Sequence, residues 1–446
     1  MTSVLHRSFG ANLPTVVSGR GLWLRDSRGK EYLDAVSGGV AVSCLGHGDT
    51  RIADAIAEQL ASVAFAHGSF FTSEPAEALA DILLGTAPAG MERVLFCSGG
   101  SEAMEVALKL VRQTWVERGC PAKSRIIARR QSFHGATIGA LSIGGNLARR
   151  EAYAPMLFDA HFIDPCYAYR HQRPDETEAN YGARAADALE AAIVELGPET
   201  VAAFVAEPVV GATLGCVPAV EGYLRRIREI CDRHDILLVL DEIMCGSGRT
   251  GEAYACLADG VSPDIVTIAK GLGGGYQPIA AVVVGHQVVD AIRNGSGLLK
   301  HGFTYMAHPV ACAAALAVQR VVIQDDLLAN VRRQGALLDR ALRDSLGDHP
   351  HVGNIRGRGL FVGVELVADR DTKAPFDPAL ALHTRVKSAA LEHGLMVYPG
   401  GGTVDGYRGD HVLFAPAYTV TGDEVHEIVG RFQRSLDAAL REIAAT

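Results

Sequence analysis

The chain has 446 residues, 48% hydrophobic and 21% charged, with a formal net charge of −9. An acidic chain without a long Lys/Arg run is not built for a nucleic-acid backbone, and its length allows two or three domains. Its nine cysteines are widely spaced with no C-x-x-C, which excludes a disulfide framework or a zinc site and fits a reducing cytoplasm.

The opening stretch "MTSVLHRSFGANLP" has no apolar h-region, so no signal peptide is expected. "GLWLRDSRGKEYLDAVSGG" reads as a hairpin around Ser27, Arg28 and Gly29. From there strand-like and helix-like runs alternate. "RVLFC" is a short apolar strand, and Ser101–Gly119 has helical periodicity with Ser101 at the cap. Strands follow at Arg125–Arg129 and Val201–Val209, an amphipathic helix at Tyr223–Asp235, and strands at Ile236–Glu242, Ile265–Ile268 and Ile279–Gly285. The alanine-rich Val310–Ile323 is short and broken by Gln319 and Arg320, so it predicts a packed helix and no membrane span. Near-continuous apolar strands between helices predict an α/β fold, with a mostly parallel sheet covered on both faces. The expected division is an N-terminal segment (1–54), a large domain (55–325) and a C-terminal domain (326–446). The N-terminal segment would join the C-terminal one in a smaller α+β domain.

The ends of the large domain's strands carry the chemistry. The first runs into "CSGGSEAME". Gly100 and Ser101 at a helix start leave free N–H groups at a positive dipole end, either an anion cradle or a capped helix after a tight turn. Dinucleotide and P-loop spacings are both missing. The next strand leads to "SFHGAT", where Phe133 either stacks on a flat ring or fills the core, with His134 beside it. "AEPV" leaves Glu207 at an apolar strand end, in need of a partner such as a structural arginine. "LLVLDE" buries Asp241, which requires a cation or several N–H donors, and a protonated ring nitrogen is one such cation. "PDIVTIAKGLGGG" sets Lys270 just past a buried strand. Either the amine reaches water there, or it is held as a Schiff base, a role suited to a lysine that burial keeps neutral. An anion cradle, an aromatic, a buried carboxylate and a lysine at one sheet edge are the four groups that pyridoxal phosphate needs, and this favours the second reading.

The sequence resembles the class III pyridoxal-phosphate aminotransferases of fold type I, the ω-aminotransferase group. The resemblance runs from "GLWLRDSRGKEYLDAVSGG" to "GDHVLFAPAYTVT" and is most specific over "LVLDEIMCGSGRTGEAYA" and "GVSPDIVTIAKGLGGGYQPIAAVVV". It implies a large cofactor domain with a seven-stranded sheet, and pyridoxal 5'-phosphate as cofactor. Gly100 and Ser101 would bind its phosphate and Phe133 would stack on its ring. Asp241 would pair with the ring nitrogen, Lys270 would form the Schiff base and move the proton, and His134 and Glu207 would complete the cofactor site. Thr304 would reach the phosphate of a neighbouring subunit, which implies a homodimer with shared sites, with pairing into a tetramer left open. Many relatives carry a carboxylate-gripping arginine where this chain has "GLMVYPGGG". Here Tyr398 stands near that place, and Arg408, in the loop that follows, either swings in to a carboxylate or stays in water.

The expected activity is a transaminase moving an amino group from an amine or ω-amino acid to a 2-oxo acid such as pyruvate. An aminomutase or decarboxylase on the same fold would share Lys270 and Asp241. A ligand-binding or assembly protein with a degraded site is the reading from another class; the intact lysine, aspartate and phosphate motif weigh against it. No metal, nucleic-acid or membrane partner is expected.

Overall fold

The apolar runs assemble into one buried sheet because each has a hydrophobic residue on both sides of its pleat. The computed structural model describes residues 3–9 and 13–445; the extreme ends of the expected domain ranges, and part of the opening stretch read above, lie outside them. Across the sheet the strands run Met91–Cys97, Ala280–Gly285, Ile265–Ile268, Leu237–Asp241, Val201–Ala206, Arg125–Arg129, His161–Ile163. Ala280–Gly285 is antiparallel to both neighbours, and the remaining ladders are parallel. Within Leu237–Asp241 the alternation is explicit. Leu238 and Leu240 join one core cluster with Ile227, Tyr223 and Leu189, while Leu237 and Val239 join another with Val106, Leu110 and Trp115.

Helix Gly100–Glu117 covers the second face, anchored by the Trp115 indole N–H donating to the Ala202 carbonyl at 2.9 Å. Helices Glu178–Leu196 and Tyr223–Arg233 cover the first face. The alanine-rich segment is the helix Pro309–Gln324. Its small residues let it pack on both sides: Ala311, Cys312 and Ala315 against the large sheet, Ala314, Val318 and Val322 against the C-terminal core.

The smaller unit is α+β. An antiparallel sheet of Val352–Arg358, Phe361–Leu366, Asp410–Phe414 and Tyr398–Gly401 lies with helices Leu327–Leu346, Leu382–Glu392 and Gly422–Ala444. The N-terminal strands Trp23–Asp26 and Glu31–Asp34 form the expected hairpin, and Glu31–Asp34 pairs with Leu395–Met396. A strand near the start of the chain thus pairs with one from its last quarter. The short edge strand His161–Ile163 and the small Val209–Val210/Val217–Pro218 ladder carry too few residues for a periodic signal.

Candidate active site

Parallel strands deliver their carboxyl ends to one edge. Asp241 pairs in register with Thr267, so the aspartate and Lys270 leave adjacent strands at the same rim. Asp241 is buried. Its Oδ1 accepts the Ile243 N–H at 3.0 Å and its Oδ2 meets His134 Nδ1 at 2.8 Å. Burial opposes charge on His134, but the hydrogen bond to Asp241 and the charges of Glu207 and Asp241 outweigh it and leave the imidazole pKa raised. His134 therefore faces the carboxylate and steadies it, while its Nε2 has no hydrogen-bond partner among the described residues.

Lys270 sits in the left-handed region, with φ +50°. For a non-glycine residue this costs about 1–3 kcal/mol. The kink ends the strand and starts the short turn Lys270–Leu272. Nζ donates to the Val40 carbonyl at 3.1 Å. Burial pulls the amine down to about 8, with Asp241 opposing and Arg249 and Arg149 adding to the shift. A lysine near 8 is partly neutral at neutral pH and so is available as a nucleophile and base.

Helix Gly100–Glu117 begins without a side-chain cap, leaving its first-turn N–H groups directed at the cavity. A Cβ on Gly100 would stand 2.9 Å from Ile243 Cδ1. Ser101 Oγ accepts the Ala136 N–H at 3.0 Å. Glu207 accepts the Phe133 N–H at 3.2 Å and lies 3.6 Å from Arg129, whose guanidinium also donates to the Glu207 carbonyl. Burial raises the Glu207 carboxyl, with His134 and Arg129 opposing.

Gly100, Ser101, Phe133, His134, Glu207, Asp241 and Lys270 all line one cavity of about 430 Å³. Thr304, Tyr398 and Arg408 do not line it. Thr304 is exposed. Tyr398 is partly buried against the core cluster that contains Val209 and Phe361. Arg408 is exposed and bound to Asp405, Nε to Oδ2 at 2.6 Å. Glu207 therefore has a structural arginine, Arg129, as its partner, while Arg408 has Asp405. Sequence reasoning missed the Val40 carbonyl and missed Arg149, whose guanidinium lies 4.4 Å over the Phe133 ring. Neither carries a local signal: a backbone carbonyl has no side chain to read, and "ARRE" looks like a solvated pair.

The donor set fits pyridoxal 5'-phosphate. An uncapped helix start suits the phosphate, a buried carboxylate suits a ring N–H, and a partly neutral amine suits the aldehyde. The cavity is within the range of small-cofactor pockets, roughly 300–1,000 Å³. Among the described residues no cluster of metal-ligating side chains is present.

A family model described as aminotransferase class-III matches residues 7–436. An uncharacterized aminotransferase of Schizosaccharomyces pombe is 43% identical, covering 96% of this chain and 93% of the relative. A diaminobutyrate–2-oxoglutarate transaminase of Halomonas elongata is 36% identical, covering 96% and 92%. Among solved structures, the ω-transaminase of Pseudomonas jessenii in complex with PMP superposes with a TM-score of 0.91 at 34% identity, over 97% of this chain and 94% of that one. The (S)-enantioselective ω-transaminase of Thermomicrobium roseum gives 0.88 at 34% identity, over 97% and 93%.

Proposed function

This chain belongs to the class III aminotransferases, which work with pyridoxal 5'-phosphate, and we propose that it moves an amino group from an amine or ω-amino acid to a 2-oxo acid, with pyruvate as acceptor. The observation that carries the reading is Lys270, drawn down to about 8 within the same cavity as the buried Asp241. The names of two relatives support an amino-acid donor with an amine beyond the α position, a diaminobutyrate–2-oxoglutarate transaminase and a γ-aminobutyrate transaminase, the first with 2-oxoglutarate and not pyruvate as acceptor.

Bound pyridoxal 5'-phosphate supplies an aldehyde for the amine and a protonated ring nitrogen that draws electrons from the reacting carbon. In the proposed assignment the first-turn N–H groups at Gly100 and Ser101 hold the phosphate, and Phe133 stacks on the ring. Asp241 keeps the ring nitrogen protonated, and His134 with the Ile243 N–H fixes the carboxylate. Glu207, held by Arg129, braces the Phe133 backbone. Lys270 Nζ would be the amine that holds the cofactor aldehyde and, when free, would carry a proton to and from the amine-bearing carbon of the substrate. The Val40 carbonyl gives the amine a fixed resting position.

The same reading includes a homodimer with shared sites. Thr304 and its neighbour Tyr305 are exposed, and Tyr305 meets exposed Phe65 edge-on at 5.6 Å between ring centroids, with Phe70 and Phe71 exposed a few residues beyond Phe65, a face suited to a second copy. Among the described residues no helix is long and apolar enough to cross a membrane. The nine unpaired cysteines fit a reducing, cytoplasmic setting.

The test is product analysis with the cofactor-loaded enzyme. Alanine, β-alanine, an ω-diamine and an aryl-ethylamine are each offered with pyruvate or 2-oxoglutarate. Formation of alanine from pyruvate at the expense of an ω-amine is expected. Release of carbon dioxide, or an isomerised amine without any acceptor, would replace this reading with a decarboxylase or aminomutase.

A further inference from the structure

A transaminase accepting a 2-oxo acid must hold a carboxylate, and this inference rests on the proposed function above. Arginine is the side chain best shaped for that group, through paired N–H donors. The arginines around the cavity are nearly all committed. Arg129 is tied to Glu207. Arg249 is buried and gives its N–H groups to the carbonyls of Leu360 and Pro416 and to Ser37. Arg150 is held by the carbonyls of Leu141, Ser142 and Gly144. Arg408 is bound to Asp405 outside the cavity.

Arg149 differs. Its backbone is fixed: the N–H donates to Asn146 Oδ1 at 3.2 Å, which caps the short helix Leu147–Arg150. Arg149 is half-buried and, like Arg408, is not itself part of the cavity lining, but its guanidinium lies 4.4 Å over the face of Phe133, which is. Among the described residues no carboxylate pairs with it, and its side chain meets the Phe133 ring alone. It is close enough for its charge to act on Lys270. Such a cation, parked on an aromatic face beside the reactive lysine, keeps its donor edge free for an anion.

We propose that Arg149 is the residue that binds the carboxylate of the 2-oxo acid, and of any amino-acid donor, in this active site. Arg408 does not serve that purpose while Asp405 holds it. The positive charge is placed at the site by the segment following "SFHGAT", where it also discriminates between substrates. Carbonyl compounds that carry a carboxylate gain an interaction that simple aldehydes lack.

The test uses the enzyme loaded with pyridoxamine 5'-phosphate and follows its discharge in single turnovers by pyruvate and, separately, by butanal. Arg149→Met is expected to lower the second-order rate constant for pyruvate about 10- to 100-fold, the worth of a charge-assisted hydrogen-bond pair. The constant for butanal should stay within about threefold, and Arg149→Lys should recover part of the pyruvate loss. The dissociation constant of pyridoxal 5'-phosphate, measured by fluorescence titration, should be unchanged. Equal losses for both carbonyls, no loss for either, or weakened cofactor binding would overturn the assignment, the last by making Arg149 a cofactor ligand. A matched loss from Arg408→Met would overturn it in favour of the loop arginine. Failure of the wild-type enzyme to be discharged by any 2-oxo acid would instead remove the transaminase reading itself.

Discussion

Replacing Lys270 by methionine should stabilise the protein stripped of cofactor. Methionine is unbranched and fills a similar path, but it removes the cost of burying an ammonium. The fall of the lysine from 10.5 to about 8 corresponds to about 3 kcal/mol against the charged form. The hydrogen bond to the Val40 carbonyl is lost with the amine and returns about 1 kcal/mol, leaving a net gain of about 2 kcal/mol at pH 7. The sign fixes the pH window. The folded-state value lies below the unfolded one, so the penalty is fully present below about pH 8. It fades as pH rises toward 10.5, because the unfolded chain then loses its proton as well. The advantage of Lys270→Met should therefore be full at pH 7 and nearly absent by pH 10.5. For a chain of 446 residues the gain at pH 7 amounts to about 2 °C in Tm. Differential scanning calorimetry of both cofactor-free proteins across this range is the assay. A variant less stable than wild type at pH 7, or a difference that does not change with pH, would refute the claim that burial governs this lysine.

Further outcomes are expected elsewhere in the site and core. Gly100→Val puts a side chain against Ile243, where even a Cβ stands at 2.9 Å from Cδ1; titration should show pyridoxal 5'-phosphate bound about tenfold more weakly or worse. Gly363→Ala drives a Cβ to 2.0 Å from the Gly215 carbonyl oxygen; it should destabilise the protein by about 1–3 kcal/mol in denaturant unfolding. Only Cys120 is exposed among nine free cysteines, so a thiol reagent should label one group rapidly in the native protein and all nine after unfolding.

Much of this architecture is legible in the chain because burial on both sheet faces forces unbroken apolar runs. "LLVLDE" and "DIVTIAK" announce their strands, and the polar residue closing each run is conspicuous by contrast. Parallel topology then places those ends together, so Asp241, Lys270, Glu207 and Phe133 could be gathered at one rim without coordinates. The partners of these residues could not be read in the same way. Arg129 lies inside a strand that reads as structural, yet it is the cation for Glu207. Val40 acts through its backbone, in an irregular turn whose glycines, Gly38 and Gly39, have positive φ. The choice between Arg149 and Arg408 depends on which loop folds toward the cavity. Local spacing does not encode that; in the fold Arg408 is paired with Asp405, three residues before it.

The most direct test of the central claim is the visible absorption of the protein loaded with pyridoxal 5'-phosphate, recorded before and after a donor amine and again after pyruvate. The account predicts a yellow band that one of the panel amines bleaches and pyruvate restores, and that Lys270→Ala neither forms normally nor cycles. A band that persists through every amine, or a Lys270→Ala protein that turns over like wild type, would contradict it.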